Sequence, residues 1–150
     1  MIRDRIAEGL TQAMKAQDKA RLSTLRLVSA AIKNADIEAR SQGKDAPSED
    51  ALLGLLQKLI KQRQESAELY DKGARPELAA AERAEIVVIR SFLPQQMSED
   101  ETRAAIAAAI KETGAASVKD MGKVMAALRA HHAGKMDFGK ASGALKAMLG

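Results

Sequence analysis

The chain has 150 residues, of which 46% are apolar and only 2% aromatic, and its formal net charge is +4. A chain of this length buries roughly two thirds of its unfolded surface, enough for one substantial core or two small ones. Alanine and leucine dominate the apolar residues, which is typical of a helical protein. The scarcity of aromatic rings argues against many single-strand and sugar binders. The absence of cysteine excludes disulfides, thiolate nucleophiles and cysteine-based zinc sites.

No segment approaches the roughly 20 apolar residues that a membrane span requires. The first ten residues carry Arg3, Asp4, Arg5 and Glu8 where a signal peptide needs an apolar run. We therefore expect a cytoplasmic protein with no membrane partner. The pI near 9.4 favours an anionic partner such as RNA only weakly, because many soluble proteins are equally basic.

Two helices are predicted before the first loop. The first has an apolar residue at every fourth position, namely Ile2, Ile6, Leu10 and Met14. The second begins after Asp18, a favourable N-cap residue, and runs to about Arg40. The side chains predicted to line its inner face are Leu22, Leu25, Val28, Ile32, Ala35 and Ala39. Glycine, proline and small polar residues between positions 41 and 47 predict a loop.

The third predicted helix begins after Ser48 and has a broad apolar face as far as Ile60. Beyond Ile60 it becomes polar, but its stripe continues, so we expect it to persist to Gly73 with the polar half projecting beyond the core. Pro76 suits the first turn of a fourth helix, which ends near Ser91. Its predicted inward residues are Leu78, Ala81, Val88 and Ile89. Residues 1–93 are thus predicted to form a domain of four helices that includes a long antiparallel hairpin.

The stretch from Arg90 to Glu101 is predicted to join two domains. Pro94 lacks a backbone donor and disfavours a helical Leu93, so the fourth helix should end here. Ser98 and Glu101 have the spacing of a capping box, which starts a new helix at once. The predicted fold class is therefore all-α, with residues 94–150 forming a small three-helix tail domain.

The tail domain is predicted to contain helices that follow the caps Ser98, Ser117 with Asp120, and Asp137. The first should end at Gly114. Their predicted inward residues are Ile106, Ala109 and Ile110, then Met121, Val124, Met125 and Leu128, then Ala141, Leu145, Met148 and Leu149. Gly122 would let a neighbouring backbone come close. The methionines Met121, Met125, Met136 and Met148 are assigned to the core rather than to a binding groove.

The sequence predicts no catalytic residue, metal ligand or cofactor. His131 and His132 point different ways, and no further His or Cys could complete a metal site. No phosphate-binding loop and no nucleophile elbow is present. Carboxylate pairs such as Asp36 with Glu38 lie among basic neighbours, which favours a solvated ion-pair face.

Basic residues outnumber acids in the last 37 residues, where six cations face two carboxylates. Lys119 and Lys123 are four apart on one helix face, and Lys135 and Lys140 flank the cap of the last helix. A basic rim around this turn would contact phosphates in a salt-dependent manner without reading bases. An ordinary solvated surface is the alternative, and the sequence leaves both open.

Six blocks along nearly the whole chain carry a family resemblance. They are Met14 to Ala16, Arg21 to Arg26, Ala31 to Ala35, Leu56 to Arg63, Phe92 to Pro94, and Asp120 to Met125. In this order they closely resemble the YqeY family of small all-helical proteins. The second domain of that family is similar to the tail of the GatB subunit of the glutamyl-tRNA(Gln)/aspartyl-tRNA(Asn) amidotransferase.

The resemblance implies tRNA recognition, because in the amidotransferase the tail binds tRNA while a separate large domain performs the glutamine-dependent amidation. Only a tail-like part, about residues 95–149, is present here, so the resemblance places no catalytic residue. Gly122, Lys123 and the turn from Gly134 to Ser142 carry over as a tRNA-contacting surface. The full set of candidate RNA-binding residues is Lys119, Gly122, Lys123, Arg129, Lys135 and Lys140.

Three hypotheses follow. The first is a non-catalytic tRNA-binding accessory protein. The second is an adaptor that docks on an aminoacyl-tRNA synthetase or on amidotransferase subunits through Lys61, Arg63, Glu68 and Tyr70. The third is an accessory part of a carbon–nitrogen ligase that uses glutamine as amido-N-donor, which is the label the family resemblance implies.

Overall fold

The computed structural model describes residues 1–150 and contains seven α-helices, one short 3-10 turn and no strand. The helices are α1 (Ile2–Lys15), α2 (Lys19–Ser41), α3 (Glu49–Lys72), α4 (Pro76–Arg90), α5 (Glu99–Thr113), α6 (Met121–His132) and α7 (Phe138–Leu149). The all-α prediction is confirmed. The chain divides into two compact units, Met1–Leu93 and Pro94–Gly150. None of the helices combines the length and apolar character needed to cross a bilayer.

The ends of most helices are where local interactions predict them. Asp18, Ser48 and Asp137 each accept a hydrogen bond from the backbone N–H three residues later, at 3.1 Å in all three cases. Ser98 and Glu101 form both hydrogen bonds of the capping box. Gly114 ends α5 in the left-handed conformation, with φ at 68°. These bonds satisfy backbone donors that a helix start would otherwise leave unpaired.

Helices α1 to α4 enclose the core of the first unit. Its buried side chains are Ile2, Ile6, Leu25, Val28, Ile32, Leu52, Leu56, Ile60, Ile86, Ile89 and Phe92. Removing this much apolar surface from water is the main force that holds the four helices together. The predicted inner face of α2 is confirmed at its centre, where Leu25, Val28 and Ile32 are buried. The other predicted residues, Leu22, Ala35 and Ala39, are half-buried.

The predicted apolar stripe of α1 is only half correct. Ile2 and Ile6 are buried, but Gly9 and Ala13 continue the buried face, and Met14 is exposed. Each four-residue step turns a helix about 40° beyond a full circle, so three steps carry Met14 about 120° away from Ile2. Alternating steps of four and three residues hold the face toward the core.

The long antiparallel hairpin is formed by α3 and α4, which pack along much of their length. The polar half of α3 lies beyond the core of the first unit, as predicted, because the last α3 residue in that core is Ile60. This half packs against α4. Ala67 is buried there, and across the hairpin Arg63 pairs with Glu85 and Arg83 pairs with Asp71. Polar side chains in this half therefore join the two helices.

The inward face of α4 also differs from its prediction. Ala79, Ile86 and Ile89 are buried, whereas Leu78 and Ala81 are exposed. Ile89 is buried and Val88 half-buried as predicted, so the difference lies in the first half of α4, where Ala79 is the buried residue. Packing against α3 sets the phase, which the composition of α4 alone leaves ambiguous.

Phe92 ties the end of α4 to α1 and α2. The guanidinium groups of Arg5 and Arg21 lie 5.4 and 5.7 Å from the centre of its ring. Arg5 also donates hydrogen bonds to the carbonyl groups of Ser91 and Phe92, both at 3.1 Å. These contacts satisfy carbonyls that the end of α4 leaves without helical partners.

The second unit has a separate core between α5, α6 and α7. Its buried side chains are Ile106, Ala109, Val124, Met125, Leu128, Met136, Ala141 and Leu145. Met125 and Met136 fill this core as predicted. Met148 does not, because it lies on the outer side of α7 with 46% of its surface exposed.

Candidate nucleic-acid interface

A cleft of about 360 Å³ opens in the second unit beside the first turns of α5 and α7. We call it the tail cleft. Its lining residues are Gln96, Met97, Glu99, Thr102, Arg103, Lys135, Met136, Asp137, Lys140 and Ala144. Apolar side chains therefore share the cleft with three cations and two carboxylates.

The turn between α6 and α7 is held against the segment before α5. The N–H of Met97 donates to the carbonyl of Lys135 at 2.8 Å. The Nε2 of Gln96 donates to the carbonyl of Gly134 at 2.6 Å, and Gly134 adopts a φ of 75° that favours glycine. With Met136 buried and Lys135 exposed, this turn presents the lysine on the cleft wall.

The cations of the tail cleft are Arg103, Lys135 and Lys140. None of them belongs to an ion pair, since the ion pairs of the structure involve other groups. Both lysines are exposed. The carboxylate of Asp137 caps α7 by accepting a hydrogen bond from the backbone N–H of Lys140. It forms no ion pair with the ammonium group of Lys140. These groups can bind an anion such as a phosphate.

The structure brings together two of the predicted RNA-binding residues, Lys135 and Lys140, and adds Arg103. Sequence analysis did not single out Arg103 or Gln96. Both precede the predicted basic region, and no local spacing links them to a turn more than 30 residues later. Only the packing of α5 against α7 places them beside it.

The other predicted RNA-binding residues lie outside the tail cleft. Lys119 belongs to the 3-10 turn before α6, and Lys123 is exposed on the first turn of α6. The guanidinium of Arg129 lies 5.6 Å from the centre of the Phe138 ring. Gly122 is exposed, and a Cβ there would meet nothing within 4 Å, so the predicted close approach of a backbone is wrong.

The residues predicted for protein docking lie on the second half of α3. Lys61 and Glu68 are exposed, and Tyr70 is half-buried. Arg63 is engaged inside the molecule, because its Nε lies 2.7 Å from Glu85 and its Nη1 donates to the carbonyl of Leu59 at 3.1 Å. The exposed members therefore carry the candidate surface.

The structure contains no group of three or more His, Cys, Asp or Glu side chains that could hold a metal ion. The adjacent histidines His131 and His132 occupy the last turn of α6. His131 lies 3.5 Å from Glu112 on the surface, and its ring meets that of His132 edge-on.

Fold and site together define an all-helical protein with a cation-lined cleft in its second unit. The family model described as Yqey-like protein matches residues 3–149. The chain therefore belongs to the YqeY family.

Curated relatives come from yeasts. The chain is 41% identical over 90 residues to a protein of Lachancea thermotolerans named "Altered inheritance of mitochondria protein 41, mitochondrial", a match that covers 60% of this chain and 46% of the relative. Proteins of the same name from Vanderwaltozyma polyspora and Eremothecium gossypii are 36% and 32% identical over 88 residues, with 59% of this chain and 46% of each relative covered. The match thus spans less than half the length of these relatives, whose names place them in mitochondria.

Proposed function

We propose that this chain is a non-catalytic tRNA-binding accessory protein related to tRNA-dependent amidation or aminoacylation. The observation that carries the proposal is the grouping of Arg103, Lys135 and Lys140 around the tail cleft with no ion-pair partner. Although Glu99 and Asp137 also line the cleft, cations without a direct ion-pair partner can contact the phosphate backbone of a nucleic acid. The likeness of residues 94–150 to the tail of GatB supports tRNA as the particular ligand.

Contacts from this cleft go to the RNA backbone in our proposal. Lysine and arginine bind phosphate through charge and hydrogen bonds and position the RNA without reading its sequence. The second unit has no Tyr or Trp, and its one Phe, Phe138, is half-buried and lies beneath Arg129, so it exposes no large aromatic ring for stacking on unpaired bases. Folded RNA recognised by its shape therefore suits the cleft better than an extended single strand.

The test is binding of the purified full-length protein to total tRNA at two salt concentrations. The variant R103A/K135A/K140A should bind at least about tenfold more weakly, and its salt slope should fall by roughly two to three, since each lost phosphate contact removes about 0.7–0.9. The matched control K58A/K72A/R90A removes the same charge from exposed positions of the first unit. Equal losses in both variants, or no loss in either, would overturn the cleft as the tRNA site.

A further variant separates the tail cleft from the rest of the predicted basic rim. K119A/K123A changes two exposed lysines that do not line the cleft. We expect a smaller loss of tRNA affinity from this pair than from the cleft variant. A larger loss would move the tRNA contact to the start of α6.

A second candidate function is the protein adaptor. The observation that favours it is Leu69, which is 67% exposed next to Glu68 near the end of α3. An exposed leucine flanked by polar groups suits the core of a protein interface. Binding to a purified synthetase or amidotransferase that survives nuclease treatment, and is weakened by L69A but not by V87A, would favour this function over RNA binding.

The third candidate, an accessory role in a carbon–nitrogen ligase with glutamine as amido-N-donor, rests on the family resemblance alone. It predicts that adding this chain changes the turnover of an amidotransferase complex, and coinciding rates would exclude it. A cytoplasmic site of action, which we also propose, is tested by fractionation of cells that express the tagged chain.

A further inference from the structure

The outer face of α2 carries cations at regular intervals. Lys19, Arg26 and Lys33 are exposed and seven residues apart, so they lie nearly in line along the helix. Leu22 and Leu27 lie between them. We call these five residues the α2 outer face. Its three cations lie about 120° around α2 from the side whose Leu25, Val28 and Ile32 enter the core, and the half-buried Leu22 lies between these two sides.

Charge on this face is not neutralised. No Asp or Glu occurs from residue 19 to residue 35, and the first carboxylate beyond them, Asp36, is held by Arg3 at 2.6 Å. Lys19, Arg26 and Lys33 belong to none of the ion pairs of the structure. This differs from the hairpin, where Arg63 and Arg83 each have a carboxylate partner.

Apolar surface accompanies the charge. Leu27 is 48% exposed, and Leu22 is half-buried. Both line a shallow cleft of about 460 Å³ together with Lys19, Ser23 and Arg26. Leucine side chains gain by leaving water, so a partner that covers them must offer an apolar group as well as negative charge.

The spacing of the cations and the exposed leucines distinguish between an acidic protein and a nucleic acid as the partner of this face. Seven residues of α-helix span about 10.5 Å, so a second helix with acidic side chains every seven residues keeps its charges in register with all three cations. Such a helix also presents apolar residues beside its acids, in the way that amphipathic helices dock into grooves. An RNA backbone offers phosphates but no side chain to cover the leucines.

We propose that the α2 outer face binds an acidic amphipathic helix of a partner protein. Its carboxylates pair with Lys19, Arg26 and Lys33, and its apolar side chains cover Leu22 and Leu27. The inference stands on the first unit and is independent of the tRNA contact proposed for the second.

The probe is a synthetic four-heptad helical peptide with one glutamate and one leucine on the same face of each heptad. A comparison peptide has the same composition, with the glutamates out of heptad register. Binding to the full-length protein is measured by fluorescence anisotropy at two salt concentrations. We expect the heptad peptide to bind at least about tenfold more tightly, because only it can pair with three cations at once. Equal affinities for the two peptides would overturn the proposal.

Charge-reversed variants locate the binding surface. K19E/R26E/K33E should weaken binding of the heptad peptide at least about tenfold, whereas the matched control K58E/K72E/R90E, with the same change in net charge, should retain it. Losses of equal size would show general electrostatic attraction and overturn the assignment. If the α2 variant instead loses tRNA and the peptide never binds, the face is a nucleic-acid surface and the proposal is wrong.

A milder pair of variants keeps the test valid if the charge reversals disturb folding. L27A should weaken the heptad peptide a few-fold, while V87A, which shortens an exposed residue of α4, should not. The helical circular dichroism and the unfolding midpoint of each variant are compared with those of the parent protein. Equal peptide affinity for L27A and V87A would remove the apolar half of the proposed contact.

Discussion

Gly9 is a buried position at which α1 packs tightly against its neighbours. A Cβ there would lie 3.2 Å from Cδ1 of Leu25 and 3.2 Å from Cζ of Phe92. We expect Gly9→Val to lower the free energy of unfolding by about 1–3 kcal/mol, because the branched side chain overpacks this contact. Gly54→Ala in α3 should raise it by about 0.5–1 kcal/mol, since nothing lies within 4 Å of a Cβ there. Urea denaturation measures both, and a shift of the same sign in both would contradict this account.

Ionisation of Asp120 makes the stability of the second unit depend on pH. Its carboxylate accepts hydrogen bonds from the backbone N–H groups of Ala116 at 2.9 Å and Ser117 at 3.3 Å. These bonds, with a smaller effect of Lys123, lower the pKa of Asp120 below its ordinary value of 3.8. The unfolded chain therefore binds the proton more readily. The stabilisation is complete above the unfolded pKa and is lost as the pH falls through the folded pKa.

The variant Asp120→Asn should remove this part of the acid sensitivity. Its unfolding midpoint should differ from that of the parent more at about pH 5 than at about pH 3, because protonation of the parent carboxylate as the pH falls removes the hydrogen-bonded anion. Asp45→Asn, which changes an exposed loop carboxylate, is the control. A difference from the parent that is the same at both pH values would show that ionisation of Asp120 does not contribute.

At the scale of elements, the α3–α4 hairpin depends on polar contacts as well as on apolar packing. The Arg63 side chain is only 15% exposed and lies 2.7 Å from Glu85. A double-mutant cycle of Arg63→Ala and Glu85→Ala should give a coupling energy of about 0.5–2 kcal/mol, because the pair is partly withdrawn from water. Lys61→Ala with Glu85→Ala should give a value near zero, since Lys61 is exposed and forms no ion pair with Glu85. Similar couplings in both cycles would mean that Arg63 has no special role in the hairpin.

At the scale of the whole molecule, the two units have separate cores. Leu56 is fully buried in the first and Leu128 is 1% exposed in the second. Either leucine replaced by alanine should cost about 2–5 kcal/mol in its own unit. We expect Leu56→Ala to speed hydrogen exchange in residues 1–93 only, and Leu128→Ala to speed it in residues 94–150 only. Faster exchange throughout the chain in both variants would contradict the proposed domain organisation.

The beginnings and ends of the helices could be predicted from the sequence because their causes are local. The caps Asp18, Ser48 and Asp137 reach a donor three residues away, and Pro76 needs only its own ring to suit a first turn. Which face of α1 and of α4 is buried was predicted less accurately. Both helices have apolar residues on more than one face, and the neighbouring helices decide which face is buried.

The candidate site also combines residues that a local pattern predicts with residues that only tertiary packing brings in. Lys135 and Lys140 were predicted together because they flank one cap, whereas Arg103 joins them only through the packing of α5 on α7. Lys119 and Lys123 share the basic composition of the tail but do not line the cleft.

The amino-acid sequence by itself determined that this protein is helical, where most helices start and stop, and which segments are basic, since propensity, capping and charge act within a few residues. Apolar periodicity also predicted the buried centre of α2, whereas tertiary structure decided which faces of α1 and α4 meet water. The seven-residue spacing of Lys19, Arg26 and Lys33 is visible in the sequence, but these cations line a free surface only because α2 packs into the core through another face. The buried faces of α1 and α4 are settled by contacts between residues far apart in the chain, because the local pattern of these helices does not single out one face.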